Sequence, residues 1–315
     1  MADTVSGYWR GPKRAVGVLT AGAVPRANAE AGAAVLAELG VDVALPDNLF
    51  ESDGDPRSWL AGADATRAER LAAAMAAGVD LVWLVRGGFG SARLLGDVAG
   101  RWRGAAGGRA PTLVAFSDGT ALLAAWHRAQ WPAWSGPPLT QLTRLDELSL
   151  ARLRAWLKAG HLAPFNELVP MAQGQVRGPC FAANLCVLTS LAGTAHMPDL
   201  RGHVLVLEDT GEPPYKIDRM LTQLVQAGAL AGVAGVVFGD FTGDRTVPAA
   251  ALADLDLVFR HFVNDVAIPH GLTVCAGLPV GHGVGNAPLP IGRATAFHAV
   301  LTVDAAGGVL AFEHA

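Results

Sequence analysis

Three residues in three separate stretches have the types needed to cleave an acyl bond by nucleophilic attack: Ser117 in PTLVAFSDGTALLAAWHRAQ, Glu208 in VLVLEDTGEPPYKIDRM and His282 in LPVGHGVGNAPLPIG. Ser117 follows the short apolar run Leu113-Val114-Ala115-Phe116, which fits a buried strand, and precedes Leu122, Leu123 and Trp126 at helical spacing. A strand-to-helix corner lifts its side chain clear of the sheet and aims the unbonded N–H groups of the first helical turn at the same point. That geometry suits an oxyanion. It suits a helix cap equally, because Ser, Asp and Thr are preferred N-cap residues. Glu208 ends an apolar run, either as a reactive carboxylate or with Asp209 as a cap and Glu212 facing the dipole of the helix that follows. His282, one of nine histidines, lies in a loop too rich in Gly and Pro for regular structure. Together the three supply a nucleophile, an orienting acid and a base, although a triad is defined by geometry and not by chain order.

A fourth stretch, Arg86-Gly87-Gly88-Phe89-Gly90, joins a predicted strand to a predicted helix. The dinucleotide fingerprint fails there, since Arg93 stands where its third glycine would be, and the Gly-Lys-Ser/Thr ending of a P-loop is missing. What remains is a loop whose backbone can approach a ligand closely, or a tight βα turn. No HExxH or HxH pattern occurs, and Cys180, Cys186 and Cys275 form no CxxC, so zinc chemistry finds no support. Three cysteines cannot all pair within one chain, which fits a reducing compartment. The net charge of −4 is scattered, without the basic run that nucleic acid selects, and no apolar stretch approaches the roughly 20 residues that span a bilayer. Lys13-Arg14, AVGVLTAGAV and Ala27-Asn28-Ala29 resemble the parts of a signal peptide, but a first strand explains this weak, Gly-containing run better.

A chain of 315 residues calls for two domains. Strands are predicted at 15–20, 41–45 and 80–85 and from 113 into Ser117, alternating with helices at 28–39, 63–77 and 91–99. Strand–helix alternation implies a parallel sheet covered on both faces, with ligands beyond the carboxyl ends of its strands, where Gly87-Gly88 and Ser117 both fall. The pattern loosens between 131 and 179, apart from a helix at 148–159, and the boundary is expected within 163–174. Strands at 203–207 and 232–238, helices at 215–227 and 250–263, and a terminal hairpin of 296–303 with 309–313 follow.

The segments RGGFGSARLL, AFSDGTALLAAWHR, LEDTGEPPYKIDRMLTQL and GLPVGHGVGNAPLPIG, in this order and at these separations, resemble the LD-carboxypeptidase family of serine peptidases. The family includes enzymes of cytoplasmic peptidoglycan recycling and a branch that inactivates peptide-nucleotide antibiotics. The resemblance implies a flavodoxin-like parallel-sheet domain over 1–165, a linker at 166–180 and a smaller, swivelling-type α/β domain over 181–315. It implies Ser117 as nucleophile, Glu208 as acid and His282 as base, with backbone N–H groups of Gly88 and Asp118 as the oxyanion hole. It further implies a cytoplasmic homodimer that needs no metal or organic cofactor. The expected reaction releases the terminal D-alanine of a muramyl tetrapeptide. Cleavage of a peptidyl- or aminoacyl-nucleotide by the same residues is the alternative within the enzyme class, and a non-catalytic small-ligand binding protein is the alternative outside it. Arg86 is a candidate partner for a substrate carboxylate, and Trp134 for stacking on a base. Departures from the family pattern are Ala115 before Phe116, Trp134-Ser135-Gly136-Pro137 for an HGP segment, Ala182-Ala183-Asn184-Leu185 for GGNL, and Ala21-Gly22-Ala23 for a Pro-Ser loop. None removes Ser117, Glu208 or His282.

Overall fold

The computed structural model describes residues 13–51, 53–97, 102, 104, 110–243 and 248–315. The chain forms two compact units, divided between Leu162 and Ala163.

In the N-terminal unit, strands β1 (Lys13–Val18), β2 (Val41–Ala44), β3 (Leu81–Leu84), β4 (Thr112–Ala115) and β5 (Ala133–Ser135) pair in parallel in the order β5-β4-β3-β1-β2. Every residue of β3 and β4 is buried, so LVWL and TLVA read as continuous apolar runs and not as alternations. The chain leaves β1 toward β2 and then crosses back to β3, which makes the carboxyl ends of β1 and β3 the switch point of a flavodoxin-like sheet. Helices α1 (Arg26–Glu38), α2 (Asp64–Ala76), α3 (Thr120–Ala129), the short α4 (Leu139–Leu142) and α5 (Glu147–Ala159) complete the unit. Helix α5 is capped at both ends: Asp146 accepts the Ser149 N–H at 2.7 Å, and Gly160 takes the left-handed conformation at φ 61°. Ser91–Asp97, expected as α-helix, is a 3-10 helix, and Val98 and Ala99 lie outside the described residues.

The C-terminal unit contains strands β6 (Phe165–Ala172), β7 (Gly174–Gly178), β8 (Cys180–Asn184), β9 (Val204–Glu208), β10 (Gly235–Phe238), β11 (Thr273–Ala276), β12 (Leu289–Ile291), β13 (Phe297–Val303) and β14 (Gly308–His314). Eight of them form one mixed sheet in the order β7-β13-β14-β6-β11-β10-β9-β8. Strands β8 to β11 are parallel to one another, and the rest of the sheet is antiparallel. Helices α6 (Leu185–Leu191), α7 (Pro214–Gln226) and α8 (Ala249–Phe262) accompany the parallel half. Helix α7 buries Ile217, Met220, Leu221 and Leu224, the apolar face that its 3.6-residue spacing predicts.

Residues 166–180, read from sequence as a linker, are instead strands β6 and β7 and the start of β8. Their Pro and Gly mark sheet irregularities. Pro170 pairs with Cys275 where the register shifts, and a Cβ at Gly178 would lie 1.9 Å from the Gly202 carbonyl oxygen. No helix among the described residues is long and apolar enough to cross a membrane.

Candidate active site

Ser117 stands at the carboxyl end of β4 with φ 60°, in the left-handed region. Holding a residue with a Cβ there costs about 1 to 2 kcal/mol, and such strain is concentrated at functional corners. The capping alternative is corrected by this geometry. The helical turn Ser117–Gly119 begins after Phe116 and α3 after Gly119, neither start carries a side-chain cap bond, and Ser117 is inside the turn. Gly119 lets the chain fold back on its strand, since a Cβ there would meet Ala115 Cβ at 2.8 Å and Leu84 Cδ2 at 2.9 Å.

The glycine loop after β3 packs directly on the serine. A Cβ at Gly87 would lie 2.8 Å from Ser117 Cβ and 2.9 Å from its Oγ. Gly22 donates its N–H to the Gly87 carbonyl at 3.2 Å, tying the β1 loop to the β3 loop, and Gly88 adopts φ 117°. Asp118 is buried, and its carboxylate accepts the N–H groups of Gly90 at 3.3 Å and Ser91 at 2.8 Å. The residue after Ser117 thus anchors the loop that carries Gly88. Arg86 is exposed and donates to the Ala23 carbonyl oxygen. Trp134 is corrected as a ligand-stacking residue: it is 2 % exposed, with its ring centroid 4.5 Å from that of Trp156 in the core of the unit.

In the C-terminal unit Glu208 ends β9 in full burial, and its Oε2 lies 2.7 Å from Nδ1 of the half-buried His282. A carboxylate on Nδ1 makes that nitrogen the donor and leaves Nε2 to accept a proton. Asn184, in register with Glu208 on the neighbouring strand, donates Nδ2–H to Glu208 Oε1 at 3.2 Å and to Asp209 Oδ1 at 3.2 Å. Its Oδ1 accepts the Val187 N–H at 3.1 Å, so the cap of α6 also fixes which way the amide faces. Asp209 does not cap α7. It accepts the N–H groups of Thr210 at 2.7 Å and Cys186 at 2.9 Å, while Glu212 pairs with Lys216 at 3.1 Å. Asp240, just past β10, folds the next turn by accepting Thr242 N–H at 2.7 Å and Gly243 N–H at 3.1 Å. The loop of His282 packs against it, because a Cβ at Gly281 would come within 2.6 Å of Asp240 Cβ.

Electrostatics follow from that burial. Loss of solvent pulls the His282 imidazole down, but the charge and hydrogen bond of Glu208 outweigh it and hold His282 above its ordinary value. Complete burial pushes the Glu208 carboxyl up, with His282 and Asn184 opposing. The three cysteines are free thiols, all raised by burial, Cys275 to about 12. Asp209, Asp240 and the buried Arg67 went unremarked as site residues in the sequence, and Asn184 entered only within the Ala182-Ala183-Asn184-Leu185 segment. The available signals were an Arg on the apolar face of α2, shared with Leu71 and Ala74, and a polar residue closing each of three neighbouring apolar strands.

A serine at positive φ on a strand end and an imidazole held by a buried carboxylate are features that serine-type peptidases use. The sequence matches the family model of the LD-carboxypeptidase N-terminal domain over residues 16–136 and of the LD-carboxypeptidase C-terminal domain over residues 177–297. A murein tetrapeptide carboxypeptidase of Pseudomonas aeruginosa is 32% identical over 232 residues, covering 68% of this chain and 71% of its own. The crystal structure of muramoyltetrapeptide carboxypeptidase from Oxalobacter formigenes superposes with a TM-score of 0.77 at 25% identity, over 94% of this chain and 97% of that one. An MccF-like protein from Bacillus anthracis shares the fold, with a TM-score of 0.78 at 19% identity over 96% of both chains. The chain belongs to the LD-carboxypeptidase family and is a serine-type carboxypeptidase.

Proposed function

We propose that the chain hydrolyses the L,D amide bond before the terminal D-amino acid of a muropeptide, with Ser117, His282 and Glu208 as its catalytic residues. The observation that carries this reading is the 2.7 Å bond from His282 Nδ1 to the buried Glu208, which leaves Nε2 as a base of raised affinity for a proton. In the first half-reaction His282 Nε2 takes the Ser117 hydroxyl proton while Oγ attacks the scissile carbonyl. The oxyanion is held by the N–H groups of Gly88 and Asp118, each worth about 3 to 4 kcal/mol in comparable hydrolases. His282 then protonates the leaving amine, the C–N bond breaks, and a seryl ester remains. Water, deprotonated by the same imidazole, cleaves the ester and restores the serine. The muropeptide assignment is supported by the names of the relatives from Pseudomonas and Oxalobacter. A cytoplasmic homodimer acting in peptidoglycan recycling belongs to the same proposal.

The test is release of D-alanine from a muramyl tetrapeptide by the wild type and by Ser117→Ala, with an aminoacyl-nucleotide analogue as a parallel substrate. Release by the wild type alone is expected. Cleavage of the nucleotide conjugate in place of the muropeptide would reassign the substrate, and activity in Ser117→Ala would refute the mechanism.

A further inference from the structure

Arg67 is the one large cation of α2 that faces inward, on the stripe shared with Ala68, Leu71, Ala74 and Met75, and it is 0 % exposed. A buried guanidinium is expensive to desolvate, and it persists only where its donors are used. Here they are. Nε donates to the Gly62 carbonyl at 3.0 Å, one terminal nitrogen donates to both the Thr20 carbonyl and the Gly90 carbonyl, the latter at 3.0 Å, and the other terminal nitrogen meets the Asp64 carboxylate. Thr20 follows β1, Gly62 precedes α2, and Gly90 closes the glycine loop after β3. One side chain therefore gathers three loops at the switch point of the sheet.

Gly90 is the informative member. Its carbonyl is held by Arg67, and its N–H is held by Asp118, the residue after Ser117. The fit leaves no room for a side chain, since a Cβ at Gly90 would lie 2.9 Å from an Arg67 nitrogen and 2.7 Å from Leu60 Cδ2, and its φ of 131° also demands glycine. Ser91 next to it is held twice, by its N–H on Asp118 at 2.8 Å and by its hydroxyl against Thr20 Oγ1 at 2.8 Å. A peptide unit fixed from both sides two residues after Gly88 sets the direction of the loop in which the Gly88 N–H points.

We propose that Arg67 is a positioning residue for the hydrolysis, its guanidinium fixing the Gly90 carbonyl and through it the glycine loop that presents an N–H to the oxyanion. This rests on the assignment of Gly88 to the oxyanion hole. A misdirected donor weakens the transition state and leaves substrate binding alone, so the loss falls on kcat.

The experiment measures kcat and KM for muramyl tetrapeptide with the wild type, Arg67→Ala, Arg67→Lys and Arg70→Ala, alongside hydrogen exchange of the segment 86–95. Arg70 lies on the same helix and also bonds loop carbonyls, those of Ala61 and Glu51, but none in the glycine loop. Arg67→Ala is expected to lose about 100-fold in kcat with KM changed less than about threefold, and millimolar guanidinium ion to restore at least about tenfold. Faster exchange in 86–95 is expected in both Arg67 variants, and kcat near that of wild type in Arg70→Ala. If Arg67→Ala does not fold, Arg67→Lys decides, because an ammonium cannot reach all three carbonyls. Wild-type kcat in a folded Arg67 variant, a loss shared equally by Arg70→Ala, or unchanged exchange in 86–95 overturns the proposal. Absence of D-alanine release by the wild type, with exchange still faster in the Arg67 variants, would instead fault the assigned reaction and leave the clamp standing.

Discussion

Asp118 accepts the Ser91 N–H at 2.8 Å, so the neighbour of the candidate nucleophile is bound to the glycine loop by its side chain. Replacing it with Asn keeps the shape but turns one acceptor into a donor facing a donor. Asp118→Asn is expected to lower stability by about 1 to 3 kcal/mol and to lower kcat more than it changes KM. Urea denaturation and steady-state kinetics measure the two effects.

Backbone strain at Ser117 predicts an inversion of the usual helix preference. Alanine keeps a Cβ at φ 60°, whereas glycine relieves it. Both Ser117→Ala and Ser117→Gly should be inactive, but the glycine variant should be more stable by about 1 kcal/mol, read from denaturation midpoints.

Contact between Gly87 and Ser117 predicts sensitivity to a single methyl group. Gly87→Ala would press on Ser117 Oγ from 2.9 Å and should reduce kcat at least about 100-fold. Gly96→Ala, in the same region but with open space around its Cβ, should keep wild-type kinetics.

The pH profile follows from the sign of the His282 shift. A base must be neutral to act, and Glu208 holds His282 above the ordinary imidazole range, so kcat/KM should fall as pH drops through a midpoint above that range. Glu208→Gln removes the charge that raises the imidazole and leaves the burial that lowers it. The acid limb should therefore move to lower pH, with kcat at its plateau reduced by about 100- to 10,000-fold. An unmoved limb would mean that His282 does not set it.

Trp134 predicts a stability effect without a binding effect. Trp134→Ala opens a hole against Trp156 and should cost about 3 to 5 kcal/mol, whereas Trp134→Phe should leave KM for either class of substrate unchanged.

Strands β1 to β4 and helices α1, α2 and α3 were legible from their apolar spacing, whereas Ser91–Asp97 formed a 3-10 helix in place of the expected α-helix. Apolar runs mark β3 and β4, and the apolar face of α7 is equally plain. Strands β6 and β7 were not legible. Only some of their residues are buried, Phe165, Leu168 and Ala172 in β6, and the Pro and Gly that usually end elements serve here at a register shift and a close backbone approach. Ser117 and Glu208 stood out by residue type at strand ends, and His282 by its place in a loop rich in Gly and Pro. The left-handed φ of Ser117 did not, since nothing local distinguishes it from a cap. Arg67 was hidden for another reason: its importance lies in the carbonyls of Thr20 and Gly90 that it binds, which are distant in sequence.

Asn184 and Glu208 occupy paired positions on β8 and β9, as Ala183 and Leu207 do one step earlier. Alternation along a strand means that a slip of one residue would turn Leu207 toward the amide and Glu208 into the opposite layer. Burial opposes the slip: every residue of VLVLE and CFAAN is buried, and a changed register would re-aim all of them. The apolar interior of this unit thus works as a vernier, choosing which acid an imidazole some seventy residues away can meet. Repacking Phe181 or its cross-strand partner Leu205 for thermal stability would be an adjustment of the Glu208–His282 pair, made from the far side of the sheet.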